Sequence, residues 1–94
     1  MPGHTIEKIC NTIKSDNYDM TYHAVEEPAE DKLGIGDIES AILKGKIIKQ
    51  EKNDPRGTKF IIKGTGIDQS TSIGVVGRFK ETEVFLIITV YKIT

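Results

Sequence analysis

The spacing of hydrophobic residues divides the chain into an N-terminal helical part and a C-terminal part made of strands. The first helix is indicated by apolar residues at i, i+3, i+4 and i+7, which are Ile6, Ile9, Cys10 and Ile13. Thr5 is predicted to cap this helix, because a threonine hydroxyl can accept a backbone N–H of the first turn. A polar run that begins at Ser15 ends the pattern. Cys10 lies on the apolar face, so we interpret it as a small core residue.

The pattern in residues 18–33 is ambiguous, because it fits a short strand-like segment followed by a helix. Pro28 is predicted to break that helix or to begin another helical piece, since proline inside a helix costs ~3 kcal/mol. A clearer helix is predicted to begin at Asp37 as N-cap and to end at Gly45. Its apolar face consists of Ile38, Ala41 and Ile42.

From Lys46 onward the pattern predicts four strands, Lys46–Glu51, Thr58–Lys63, Ile73–Phe79 and Val84–Ile93. The first two are predicted to form a hairpin across Asp54-Pro55-Arg56-Gly57, and residues 64–72 a flexible loop. The last strand begins with an uninterrupted apolar run, which is typical of a central strand. Its later residues Thr89 and Tyr91 return polar atoms to the rim. The predicted fold is α+β, with N-terminal helices packed on one face of a curled antiparallel four-stranded sheet.

Composition is consistent with a single domain over residues 1–94. Apolar residues make up 37% and charged residues 29%, as in globular proteins and unlike disordered chains. The net charge of -1 argues against a general polyanion binder. The charges are unevenly distributed, however. Acidic residues cluster in residues 26–31, whereas residues 44–63 are rich in lysine, so a basic face on the strands is expected despite the near-neutral total.

The single cysteine excludes an internal disulfide, and no Cys/His grouping has the spacing of a zinc site. No metal or cofactor is therefore predicted. A cytoplasmic location is expected from this cysteine usage and from the missing signal peptide. The longest apolar run is too short to span a bilayer, so no membrane association is predicted.

Four motifs in order resemble the family called domain of unknown function 4258, over roughly residues 18–93. They are Tyr22-His23-Ala24-x-Glu26-Glu27, residues 36–48, Asp54-Pro55-Arg56-Gly57 and residues 86–91. The resemblance implies a layout similar to that of RelE/ParE-type toxins, with helices followed by an antiparallel sheet. It further implies the toxin half of a toxin–antitoxin pair, with ribonuclease-like or ribosome-directed action. The implied partners are a small antitoxin-like protein and RNA or the ribosome; the oligomeric state stays open.

Cleavage of RNA through the 2′-hydroxyl would need an acid, a base and cations that stabilise the charged phosphorane. The candidate catalytic residues are His23, Arg56, Arg78 and Tyr91. The candidate substrate-binding residues are Lys59, Lys80 and Thr89. Each has a structural alternative. His23 fits a residue that packs on the sheet and bonds to backbone. Arg56 fits a turn residue that is solvated or held by Asp54. Tyr91 fits the edge of the core, and the lysines fit solvated surfaces.

A second function remains open at this point. A non-catalytic domain of the same fold would bind a protein partner through its helices or through an exposed sheet edge. Growth arrest on expression, relieved by a small partner protein, would separate the toxin from this alternative.

Overall fold

Over the described residues, the architecture is a sheet of five strands with three helices. The computed structural model describes the backbone of residues 2–53 and 55–93 and the side chains of residues 5–53 and 55–93. The helices are α1 (Pro2–Lys14), α2 (Tyr22–Glu30) and α3 (Ile35–Lys44). The strands are β1 (Tyr18–Met20), β2 (Lys46–Glu51), β3 (Lys59–Thr65), β4 (Ser72–Phe79) and β5 (Phe85–Ile93). This confirms the predicted α+β class.

The strands lie in the order β1-β5-β4-β3-β2. Neighbours among β2 to β5 are antiparallel, whereas β1 runs parallel to β5. The prediction of a four-stranded, purely antiparallel sheet is therefore wrong: the sheet is mixed and has five strands. The short strand-like segment expected before the second helix is β1, but three residues are too few to predict that it joins the sheet. The central position predicted for the last strand is confirmed, because β5 has a neighbour on each side.

Pro28 lies inside α2, so the predicted helix break at this residue is wrong. The proline comes close to the C-terminal end of the helix, which stops at Glu30. Its missing N–H removes the bond that a helix would make to the carbonyl of Ala24. The pyrrolidine ring is fully buried, and this packing offsets the lost hydrogen bond.

Two helices begin earlier than the sequence pattern indicates. α1 starts at Pro2 rather than after Thr5, as suits a proline in a first helical turn. α3 starts at Ile35, so Asp37 is not its N-cap but lies within the first turn. The Asp37 carboxylate still caps the helix, because its Oδ2 accepts a hydrogen bond of 3.0 Å from the backbone N–H of Gly34. Its Oδ1 accepts a second, also 3.0 Å, from the N–H of Ile67.

The connection between β3 and β4 is shorter than predicted, because these strands extend to Thr65 and from Ser72. Asp68 organises the turn between them. Its carboxylate accepts hydrogen bonds from the N–H groups of Ser70 and Thr71 and from the Thr71 hydroxyl, at 3.0, 2.9 and 2.6 Å. The bonds from Thr71, followed by that from Ser70, hold the pKa of Asp68 below its usual range.

One hydrophobic core lies between the helices and one face of the sheet. Its buried members come from all three helices and from β3, β4 and β5: Ile9, Ile13, Ala24, Ile38, Ala41, Ile42, Phe60, Ile62, Ile73, Val75, Phe85, Ile87 and Val90. α3 approaches β3 especially closely, because a Cβ added at Gly64 would overlap the carbonyl of Ala41. We call the other side of the sheet, which no core residue occupies, the open face. No helix in the described part of the chain is long and apolar enough to cross a membrane.

Candidate functional site

The strand register determines which side chains occupy the open face. Residues directly opposite each other on neighbouring strands point to the same side of a sheet. Ile62 and Val75 are paired and both belong to the core. The residue pairs on either side of Ile62 and Val75 along these strands therefore point to the open face. One such row crosses four strands and consists of Lys46, Lys63, Gly74 and Tyr91.

A bulge in β5 brings the end of this strand onto the open face. Gly77 pairs with Ile87 and Val76 pairs with Thr89, so Ile88 has no partner on β4. Ile87 belongs to the core. Without the extra residue, Thr89 would point to the core as well, since strand side chains alternate. With it, Thr89 faces out, and Tyr91 follows at the next outward position.

The Tyr91 ring lies directly over Gly74. A Cβ added at Gly74 would overlap three atoms of the tyrosine side chain, Cζ, Cε2 and the hydroxyl oxygen. Gly74 occupies an outward-facing position of β4, yet it is buried because the tyrosine ring covers it. Tyr91 itself keeps 36% of its surface exposed. The glycine thus seats an aromatic ring against the sheet while the ring remains accessible to solvent.

The open face is positively charged. Its cations on β2, β3 and β4 are Lys46, Lys49, Lys59, Lys63 and Arg78. Glu51 is the acidic residue that these three strands place on the same face, and its carboxylate lies 3.7 Å from the Lys49 ammonium. Lys46 stands directly opposite Lys63. Like charges in this position repel, so the pair is destabilising unless an anion lies between the two ammonium groups.

The predicted substrate-binding residues Lys59 and Thr89 both lie on the open face. Lys59 is one position beyond the Phe60–Gly77 pair, which places it next to Arg78. Lys80 follows the end of β4, and its Nζ lies 2.7 Å from Oδ2 of Asp19 in β1. An anionic ligand would have to compete with this carboxylate. This ion pair was not predicted, because the short strand-like segment expected here was not placed in the sheet.

The predicted catalytic residues do not form one site. Arg78 and Tyr91 share the open face, whereas Arg56 lies in the β2–β3 connection and lines a groove beside the end of β2. Asp54, its expected partner, lies outside the described residues. His23 is exposed on α2, and its ring meets the Tyr22 ring edge-on at 6.3 Å. The buried residues of α2 are Ala24 and Pro28, so His23 is not directed at the core.

The helical side of the molecule is acidic. Exposed Glu26, Glu27 and Glu30 lie on α2, and Asp31 follows at its C-cap. The net charge of -1 is therefore the sum of a basic sheet face and an acidic helix surface. Long-range electrostatic attraction would orient a polyanion toward the open face and away from α2.

Two other titratable groups are half-buried and pack against the core. Tyr18 donates a hydrogen bond of 2.8 Å to the Glu39 carboxylate, and partial burial together with this bond raises the pKa of Tyr18 to about 12. Cys10 donates to the carbonyl of Ile42 at 3.6 Å, and burial raises the pKa of its thiol. Such a thiol is a poor nucleophile at neutral pH, which favours the interpretation of Cys10 as a core residue. Among the described residues, no group of three or more His, Cys, Asp or Glu is arranged to hold a metal ion.

The sequence predicted Lys59, Arg78, Thr89 and Tyr91 as a polar constellation, but it missed Lys46, Lys63 and Gly74 as members of the same surface. Lys46 and Lys63 were visible only as part of a basic run. Their pairing depends on the bulge between Ile47 and Lys49, which shifts the β2–β3 register.

The family described as Domain of unknown function (DUF4258) matches residues 20–92, which is most of the chain. No curated protein and no solved structure shows significant similarity.

Proposed function

The chain belongs to the DUF4258 family, and we propose that it binds single-stranded RNA on the open face of its sheet. The observation that carries this proposal is the row formed by Lys46, Lys63 and Tyr91 across four strands. Proteins that bind single strands combine cations that follow the phosphate backbone with an aromatic side chain on which a base stacks. Both components are adjacent here.

The paired lysines support an anionic ligand in particular. A phosphate between the ammonium groups of Lys46 and Lys63 would convert a repulsive pair into two attractive contacts. Lys59 and Arg78 extend the basic surface by a second row. Neighbouring strands lie about 4.8 Å apart, so these side chains can contact successive groups of one extended strand of nucleic acid.

A single strand fits the face better than a duplex does. Tyr91 offers its exposed ring to a base, and a base can stack on it only when it is not already stacked within a double helix. The apolar side chains of Ile61 and Val76, half-buried between the two basic rows, would contact the same unpaired bases.

We further propose that the chain acts as a RelE/ParE-like toxin. The RNA would then be messenger or ribosomal RNA, and a small antitoxin-like protein would block the open face. The family resemblance and the basic face support this role. Binding is the part that the geometry favours, since His23 lies on α2 and the acid–base groups for cleavage are not assembled with Arg78 and Tyr91.

Fluorescence anisotropy with a fluorescein-labelled RNA of twelve nucleotides tests the binding step. We expect Lys63→Glu to weaken binding at least tenfold, because it replaces an attraction to phosphate by a repulsion. Lys63→Ala should lower the dependence of log K on log salt by about one contact. Lys32→Glu, an exposed change of the same charge just after α2, is the matched control and should leave affinity nearly unchanged.

Equal loss in Lys63→Glu and Lys32→Glu would show that only net charge matters, and the site would be wrong. No binding by the wild-type protein in 50 mM salt would refute the proposal altogether. The toxin role has a separate readout: induced expression should arrest growth, and Lys63→Glu should relieve the arrest at equal protein level. RNA binding without growth arrest would contradict the toxin role alone.

A further inference from the structure

β2 forms an edge of the sheet that its own fold leaves uncovered. Among the residues that the structure describes, it pairs with β3 alone, and no described strand lies along its other side. Five of its six residues are exposed, and Ile47 is half-buried. The helix layer does not cover it either, because α3 packs on β3 and β4. β2 is thus open at its edge and, for most of its length, on both faces.

Two grooves follow this strand. The larger, about 770 Å³, is lined by residues 49–53 together with Pro55 and Arg56. The second, about 340 Å³, is lined by residues 47–50 and Lys52. Lys49, Gln50 and Lys52 line both grooves, so both lie along β2. Ile48, the bulged residue, exposes half of its surface there.

We propose that β2 accepts an extended, acidic segment of a partner protein, which adds to the sheet as a sixth strand. Addition of a strand to an exposed edge uses backbone hydrogen bonds for affinity and alternate side chains for specificity. The lysines of the edge determine the charge of the occupant: Lys46, Lys49 and Lys52 outnumber the carboxylate of Glu51. Ile48, half of whose surface is exposed, offers apolar contact to a side chain of the incoming strand.

Two other occupants of this edge, a second copy of the chain and an RNA strand, are less compatible with these residues. Lysine and a bulge on an edge strand discourage pairing between identical copies, since two such edges would bring all their lysines together. An RNA strand cannot use the free N–H and C=O row as a β-strand does. The edge site shares Lys46 and Lys49 with the open face. It does not use Tyr91 or Lys63, because its affinity comes from the β2 backbone, so variants of these two residues separate it from the proposed RNA-binding function.

Selection from a random library of displayed ten-residue peptides tests the inference. The library should yield sequences in which Asp or Glu alternates with β-branched or aromatic residues. Upon addition of the best such peptide in synthetic form, hydrogen exchange should slow at backbone amides of residues 46–51. Lys49→Glu combined with Lys52→Glu should weaken this peptide at least tenfold, whereas the Lys32→Glu control and Tyr91→Ala should not change its affinity.

Each alternative outcome overturns the proposal. They are a library without enrichment, enrichment of neutral or basic peptides, and a bound peptide that protects amides outside β2. A second copy of the chain would be the occupant instead under two joint results. In the free protein, protection of the β2 amides from hydrogen exchange would rise with protein concentration, and sedimentation velocity would show a dimer. Loss of peptide binding in Tyr91→Ala would place the peptide on the open face and contradict the edge site.

Discussion

The hydroxyl of Thr21 donates a hydrogen bond of 2.6 Å to the carbonyl of Ile88, the residue that has no partner on β4. Thr21 also begins α2, because its Oγ1 accepts the N–H of Ala24 at 3.2 Å. Its own N–H donates to the carbonyl of Ile87 at 2.9 Å. One side chain therefore joins the start of a helix to the bulge in β5. Since the bulge turns Tyr91 outward, Thr21 stabilises the geometry of the open face from the opposite layer.

Thr21→Ala should destabilise the protein by about 1–2 kcal/mol, because it removes both the helix cap and the bond to Ile88. The free energy of unfolding is measured by urea titration followed by circular dichroism. Thr21→Ser keeps the hydroxyl and should lose much less. Equal losses for Ala and Ser would mean that the methyl group, and not the hydroxyl, makes the contribution.

Tyr91→Ala should weaken RNA binding without an equal loss of stability. Stacking of one base on an aromatic side chain contributes about 1–3 kcal/mol, which predicts at least a fivefold loss of affinity. Tyr91→Phe retains the ring and should bind nearly as well as the wild-type protein. Anisotropy with the twelve-nucleotide RNA measures both variants. A loss in Phe as large as that in Ala would assign the effect to the hydroxyl and contradict stacking.

Gly74→Ala should destabilise the protein by about 1–3 kcal/mol, because the new methyl group overlaps the Tyr91 ring and forces it away. The same change should weaken RNA binding, since the ring would leave its place. In Gly74→Ala combined with Tyr91→Ala the overlap is absent. The double variant should therefore be more stable than the sum of the two single losses predicts, a coupling that a double-mutant cycle in urea measures. Strict additivity would show that the ring does not rest on Gly74.

Alternation along the strands made part of the candidate site predictable. Lys59, Arg78, Thr89 and Tyr91 were expected on one polar face because polar side chains recur at alternate positions of regular strands. The exit of Thr89 and Tyr91 from the core was also expected, from the change of composition after Ile88. The bulge that produces it was not, because the apolar run of residues 84–88 hides the change of direction.

The remaining features depend on contacts between distant parts of the chain. β1 joins the sheet because β5 lies beside it, whereas its three residues indicate only a short strand-like segment and no strand partner. Pro28 remains in α2 because its ring is buried, and burial cannot be read from the local sequence. The separation of His23 from Arg78 likewise follows from the position of α2. Local periodicity predicts which side chains share one face of a helix or strand, whereas tertiary packing decides which of these faces come into contact.

The hydrogen bond between Tyr18 and Glu39 predicts a stability change at alkaline pH. Partial burial and this bond raise the pKa of Tyr18 to about 12 in the folded protein, compared with about 10 in an unfolded chain. The folded state therefore holds the phenolic proton more tightly. The resulting stabilisation is fully present below pH ~10 and is lost as the pH rises toward 12. Tyr18→Phe has no proton to lose, so its free energy of unfolding should fall less steeply over this range.

Urea titrations at intervals between pH 9 and 11.5 measure this difference, and Tyr22→Phe serves as the matched control. The hydrogen bond from Tyr22 to Glu26 also raises the pKa of Tyr22, but this pair is exposed to solvent, which weakens its contribution to stability. Tyr22→Phe should therefore follow the wild-type pH dependence. Only a difference in slope between the three proteins reports on Tyr18. Parallel slopes for the wild type and Tyr18→Phe would show that the phenol is not held more tightly in the folded protein.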